Sequence, residues 1–409
     1  MADKIGLSDA VSAAPFPQDR TCPYQPPAGY APLRSTGGPV HPVVLYDGTP
    51  AWVVTSYAAA RELLWSGRLS ADRTNDAFPI ISPRMEGIKY QPQSFVGMDP
   101  PEHTRHRRML LPEFSVRSVD AMRPVIGRIV DQYIDDMLAA GPPLDLVTAF
   151  SLPVPSRVIC DVLGVGYADH DFFQRTSQDL VQAESPEQAI GAVMELSGYF
   201  EKMITEYLER PGDGMISRLA VEELAAGSVT RPELIMSVLM LLIGGHETTA
   251  SMITLSVIAL LDNPDQYAAF AAGTVDAKLA VEELLRYLSI ADIAGTRVAA
   301  TDIELGDYLI REDDPVIVVN SLANRDPETF PDPDALDLSR GSRAHIAFGF
   351  GQHQCLGQNL ARAELEIALP ALLRRLPDLR LAIDASQLRL RDGGTVQGVN
   401  ELPVTWGQL

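Results

Sequence analysis

No proline interrupts the chain between Thr230-Arg231-Pro232-Glu233 and Asp262-Asn263-Pro264, and that interval constrains the fold more than any other. The first tetrapeptide reads as a capping box with proline in the first turn, and the closing tripeptide as a stop. A helix filling it would be roughly 50 Å long at about 1.5 Å per residue. Its apolar residues run nearly all the way round, which marks a helix buried at the protein centre. The apolar run of residues 234–245 is too short to span a bilayer and leads straight into His246 and Glu247.

Inside the helix lies Gly244-Gly245-His246-Glu247-Thr248-Thr249. Two successive glycines weaken a helix, so they need a reason such as a ligand against the backbone. A buried carboxylate needs a compensating role too. A kinked helix with a satisfied polar cluster meets both demands equally well.

A second unusual stretch is Phe348-Gly349-Phe350-Gly351-Gln352-His353-Gln354-Cys355-Leu356-Gly357. Its glycines allow a tight turn whose N–H groups converge on one sulfur. Leu356, Leu360, Ala363 and Ile367 then recur at helical spacing, which reads as a helix beginning at the cysteine. A thiol at a helix N-terminus has a lowered pKa and suits axial ligation of haem iron. A buried structural cysteine is the alternative for an isolated residue.

The run F-x-x-G-x-H-x-C-x-G around Cys355 closely resembles the haem-binding signature of the cytochrome P-450 monooxygenases, and further matches extend over about residues 17–406. The resemblance implies a mainly α fold, one P-450 domain over residues 1–409 that encloses haem b (iron protoporphyrin IX) among helices and small peripheral β-sheets. Residues 1–20 are expected to be loosely ordered. It makes Cys355 the iron ligand, with Phe348 and Gly357 beside it. Gly244 opens the oxygen groove, Thr248 hydrogen-bonds dioxygen, and Glu247 relays protons through water. His103 and Arg107, four apart on one helix after Asp99-Pro100-Pro101-Glu102, grip one propionate. Arg297 and His353 take the other. Glu283 and Arg286 form an E-x-x-R pair that joins Arg340 in a buried structural network. By the same resemblance, residues 71–96 lid the substrate pocket and residues 172–204 roof it. Arg73, Ile81, Arg84, Ile243, Ile293 and Val396 are the pocket candidates.

The implied reaction is hydroxylation of a bulky hydrophobic small molecule such as a macrolide, secosteroid, terpenoid or xenobiotic. It uses O2 and electrons from a ferredoxin with its NAD(P)H-dependent reductase, because the chain has no flavin or nicotinamide motif. A peroxide-driven peroxygenase and a non-catalytic haem sensor or carrier are the alternatives on this scaffold. Arg105, Arg108, Arg117 and Arg362 suggest a patch for an acidic electron donor.

Composition sets outer bounds. The net charge of −21 argues against a nucleic-acid partner. Cys22, Cys160 and Cys355 are too few and scattered for a disulfide framework. Residues 1–30 are proline-rich with interspersed charge and lack an apolar leader segment, so a cytoplasmic, monomeric protein off the membrane is expected. Cys160 lies in an apolar run and reads as a packed thiol. Residues 43–46 and 51–54, joined through Asp47-Gly48, read as a β-hairpin, Asp99 as the N-cap acid of the helix that follows it, and residues 393–400 with 404–406 as a terminal hairpin-like segment. Pro370 predicts a kink or an early end to the cysteine helix.

Overall fold

The capping box at Thr230 starts the central helix. Thr230 donates to Glu233 Oε2 through its N–H at 2.8 Å and its Oγ1 at 2.7 Å. The Glu233 N–H returns to Thr230 Oγ1 at 3.4 Å. The helix then runs Arg231–Leu261 and ends at Asp262. The computed structural model describes residues 4–7, 14–35, 37–83, 85, 93–166, 169–181, 185–391 and 396–407.

Residues 249–260 of this helix are buried without interruption, because other helices cover every side. Pro153–Leu163, Pro186–Glu209, Ala277–Leu288 and Gln358–Arg375 all pack on it, and Val116–Ala140 packs on the last of these. By length and composition the central helix could cross a membrane, yet its apolar stretch is 72% buried inside the protein.

The two glycines of that helix have different tasks. Nothing lies within 4 Å of where a Cβ on Gly244 would stand, whereas one on Gly245 would sit 2.8 Å from the Ile159 side chain. Gly244 opens onto space, and Gly245 lets helix Pro153–Leu163 approach.

The hairpin read at residues 43–55 forms from Val40–Val44 and Pro50–Val54, with Val43 opposite Ala51. It belongs to a six-stranded sheet in which Pro50–Val54 runs parallel to Pro315–Val318, and Gly295–Ala299 lies antiparallel on the far side. Gly295 is required there, since a Cβ would meet Val318 Cβ at 2.7 Å.

Several expectations need correction. Among the described residues near the N-terminus, Ala14–Pro15 pairs with Val43 and Val44, Phe16 is buried, and Arg20 pairs with Asp292 at 2.9 Å. Cross-strand hydrogen bonds and apolar burial outweigh the proline-rich composition. Val404 and Thr405 pair with Leu381 and Arg380, not with the preceding segment. The Asp99 carboxylate does not cap the helix Glu102–Leu110; it accepts from Ser70 Oγ and from the Ala71 N–H at 2.8 Å. The helix Gln358–Arg375 continues through Pro370, held by buried Leu369, Leu372 and Leu373.

Candidate functional site

The cysteine loop is shaped by two left-handed glycines, Gly349 at φ +69 and Gly351 at φ +74. A Cβ on Gly351 would collide with the Leu64 carbonyl, so helix Tyr57–Trp65 presses the loop into place. The Cys355 N–H donates to the Phe348 carbonyl at 2.8 Å, closing the turn. The following helix starts at Gln358, three residues later than the apolar spacing suggested. Gly357 therefore caps it, and the N–H groups of Gly357 and Gln358 point at the sulfur. Burial pushes the Cys355 thiol up and outweighs the pull of those N–H groups, Arg107 and Arg362, so the lowered pKa expected of a thiol at a helix N-terminus is not found. Such a sulfur is prepared to become a thiolate once a metal takes its proton's place.

Cys355 faces a cavity of about 300 Å³. Met240, Gly244, Thr248 and Met252 of the central helix line it across from Phe348, Gly349, Phe350, His353, Cys355 and Gly357. Arg107, Arg297, Ile290, Ala291 and Ala294 complete much of the rim. Thr248 Oγ1 donates to the Gly244 carbonyl at 2.7 Å. Glu247 lies one residue away, and its carboxylate turns to Arg391 Nη1 at 2.8 Å.

At one edge positive charge gathers, and among the described residues the Asp99 carboxylate only partly offsets it. The His103 and His353 rings lie 4.0 Å apart. Burial, and next Arg107, lowers the His103 pKa to about 4. Burial, then Arg297, His103, Arg107 and Arg73, lowers that of His353 to about 2. Burial and the nearby Arg73 lower Arg297 to about 10. Both ring nitrogens of His103 and Nε2 of His353 lack hydrogen-bond partners among the described residues. Buried donors left this way call for a ligand. The residues fit haem: a thiol on one face, an apolar slot, and cations and imidazoles at the edge where two propionates would lie.

The structure places the remaining candidates unevenly. Arg73 belongs with the cationic edge: its field reaches Arg297 and His353, and Gly97 makes room for its stem, a Cβ there falling 3.0 Å from Arg73 Cδ. Ile81 is sealed in a core cluster against the six-stranded sheet with Phe16 and Tyr30. Ile243 is one residue from Gly244, hence about 100° round the helix, and packs against the main core. Ile293 and Val396 line a different cavity of about 330 Å³. Ile243 and Ile293 adjoin the lining residues Gly244 and Ala294 in sequence, but neither lines the cavity itself. Arg84 lies outside the described residues.

Arg286 and Glu283 form a fully buried pair, Nε to Oε2 at 2.7 Å. Arg286 also donates to the carbonyls of Asn324, Pro333 and Ala335, and Arg340 Nε reaches Glu283 Oε1 at 3.2 Å. Sequence reasoning missed Glu282 beside it. This carboxylate is 2% exposed and meets His345 Nε2 at 2.8 Å, Arg362 Nε at 2.7 Å and Arg343 Nε at 3.0 Å. Arg362 in turn stacks on Phe348, so it braces the cysteine loop and does not belong to a surface patch. Arg391 was missed as well. Their partners are distant in sequence, and no local pattern marked them.

Residues 277–378 match the family described as Cytochrome P450. The chain is 56% identical to the vitamin D3 dihydroxylase of Streptomyces griseolus over 406 residues, covering 99% of this chain and 100% of that protein. It is 50% identical to the pentalenic acid synthase of Streptomyces avermitilis, covering 96% and 97% of the two chains. The crystal structure of the mycinamicin VIII C21 methyl hydroxylase from Micromonospora griseorubida, bound to mycinamicin VIII, superposes with a TM-score of 0.89 at 41% identity, covering 96% and 100%. With a mainly helical fold and a cysteine facing the central helix across a cavity, the chain belongs to the cytochrome P450 family and is a P450 monooxygenase. Within that family it is a bacterial P450 of the CYP105 type.

Proposed function

We propose that this P450 is a monomeric cytoplasmic enzyme that carries haem b and hydroxylates a bulky hydrophobic molecule of the secosteroid or macrolide kind. Vitamin D3 is the first substrate to test, given the name of the 56% identical relative. Electrons would come from a ferredoxin and its NAD(P)H-dependent reductase. Arg108 and Arg117 are exposed cations that an acidic donor could meet, while exposed Arg105 is already held by the Ser228 carbonyl and lies 3.8 Å from Glu233 Oε1.

The observation that carries this reading is the edge of the cavity beside Cys355, where Arg107 and Arg297 stand with imidazole nitrogens of His103 and His353 that have no partner among the described residues. Haem, once bound, supplies the activation of dioxygen. Cys355 would ligate the iron, steadied by the N–H groups of Gly357 and Gln358. His103 and Arg107 would hold one propionate, and Arg297 with His353 the other, with Arg73 adding charge to that edge. Gly244 leaves room for O2 against the helix backbone. Thr248, released from the Gly244 carbonyl, would present Oγ1 to the oxygen site, and Glu247 would pass protons to it. Phe348, Met240, Met252 and Ile290 line the space and exclude water.

Three measurements test this. Cys355→Ala should abolish the characteristic Soret band of the reduced, CO-bound protein; an unchanged band would remove Cys355 as the ligand. Titration with vitamin D3 should shift the spin state of the wild type, and turnover should proceed with ferredoxin, reductase and NADPH. Turnover with peroxide alone would instead assign a peroxygenase.

A further inference from the structure

Glu247 is 4% exposed and stands between two groups that can carry positive charge. On its own helix, His246 donates Nδ1 to the Leu242 carbonyl at 2.7 Å and leaves Nε2 3.6 Å from Glu247 Oε1. From the far end of the chain, Arg391 Nη1 donates to Glu247 Oε2 at 2.8 Å and reaches Ser251 Oγ at 3.4 Å. The Arg391 side chain is only 10% exposed, and its Nε has no acceptor among the described residues. Burial pushes the Glu247 carboxyl up, but His246 and Arg391 outweigh it and hold it below the usual range. Arg391 makes the closer contact of the two.

The segment carrying Arg391 is built around this contact. Leu390 pairs with Val399, and the Arg391 N–H donates to the Gly398 carbonyl at 3.0 Å. A Cβ on Gly398 would lie 2.9 Å from Ser251 Oγ and 3.3 Å from Arg391 Nε, so glycine lets the strand lie flat against the guanidinium. The next residue back, Gln397, donates its N–H to the Ile290 carbonyl at 2.9 Å, and Ile290 lines the haem cavity. On its other side Arg391 lines the second cavity, whose wall also holds the Arg20–Asp292 pair. Arg391 thus stands between that cavity and Glu247.

We propose that Arg391 is a positioning residue for proton delivery, a tether by which the C-terminal hairpin keeps Glu247 ionised and turned toward the second cavity. This rests on the reading of Glu247 as the proton relay. A guanidinium does not give up its proton in a protein, so Arg391 acts through Glu247 and moves no proton itself. A proton from water in the second cavity would bind the Glu247 carboxylate and then pass to Thr248 Oγ1 as that hydroxyl gives its own proton up to the oxygen site.

The test uses the haem-loaded enzyme with ferredoxin, reductase and NADPH, and vitamin D3 as probe. Hydrogen peroxide release is also followed without vitamin D3, so one readout needs no substrate. Arg391→Gln should move the acid limb of the pH profile upward by about one to three pH units, as expected when an adjacent cation is lost. It should lower product per electron on the order of tenfold, less than the roughly hundredfold or more that loss of a proton-transfer group costs. Arg391→Lys should restore most of both. The double variant with Glu247→Gln should be no worse than Glu247→Gln alone. An unmoved acid limb, or losses that add, would overturn the role of Arg391 and leave it a structural brace. If Glu247→Gln itself changes neither profile, the relay reading fails and the proposal falls with it.

Discussion

Removing the charge of Glu282 should destabilise the protein in a pH-dependent way, with the consequence felt at the cysteine loop. Burial alone raises this carboxyl, but hydrogen bonds from His345 and Arg362 and the charge of Arg362 hold its pKa at about 2, against 4.5 for a free glutamate. At about 1.36 kcal/mol per pH unit, that depression corresponds to about 3.4 kcal/mol of folding free energy. Arg362 keeps 15% of its side chain exposed and is partly screened by water, so about 2 kcal/mol is a better expectation for Glu282→Gln, which keeps the shape and loses the charge. The folded pKa is depressed, so this stability is fully present above about pH 4.5 and is lost as pH falls toward 2. The assay is urea unfolding of wild type and variant from pH 7 to 3.5, with the Soret band followed in parallel. The variant should be weaker by about 2 kcal/mol at pH 7, and the gap should narrow below pH 4.5. His345 Nδ1 accepts the Ala347 N–H at 3.2 Å and Arg362 stacks on Phe348, so the Soret band should be lost at lower urea in the variant. Equal stability at pH 7, or a gap that stays constant with pH, would refute the electrostatic account.

Three further outcomes are expected. Gly351→Ala should lower stability by more than Gly349→Ala. Both face the left-handed penalty of about 1–3 kcal/mol, but only Gly351 abuts the Leu64 carbonyl, while the nearest atom to a Cβ on Gly349 is 3.9 Å away; equal losses in chemical denaturation would contradict this. Cys160 is 1% exposed and burial pushes its thiol to about 12, so iodoacetamide at pH 8 should label it only after unfolding. Mass spectrometry showing labelling of the native protein as fast as at Cys22 would count against that packing. Thr248→Ala should divert reducing equivalents to hydrogen peroxide, measured as peroxide formed per NADPH consumed; full coupling in the variant would take Thr248 out of the proton path.

Features encoded by local patterns were legible in the sequence. The capping box, the central helix, the hairpin around Asp47-Gly48 and the cysteine loop each depend on residues within a few positions of one another. Such short-range rules hold before any tertiary contact exists. The polar candidates His103, Arg107, Arg297 and His353 also met at one edge; only His353 lies in the motif around Cys355, and the other three were named through the family resemblance. The apolar pocket candidates fared worse. Ile81, Ile243, Ile293 and Val396 do not line the cavity beside Cys355, since sequence proximity says nothing about which way a side chain turns.

By itself, then, the sequence determined the buried central helix, the thiol donor and the chemistry that donor implies. Only the tertiary structure decided that Gly244 serves the cavity while Gly245 serves Ile159, that Arg73 joins the cationic edge, and that Glu282 and Glu247 find their counter-charges in Arg362 and Arg391. The physical reason is the range of the interactions. A helix cap or glycine turn is settled within a few residues. A buried carboxylate is tolerated only where folding brings it a cation, and Glu247 takes its arginine from 144 residues away.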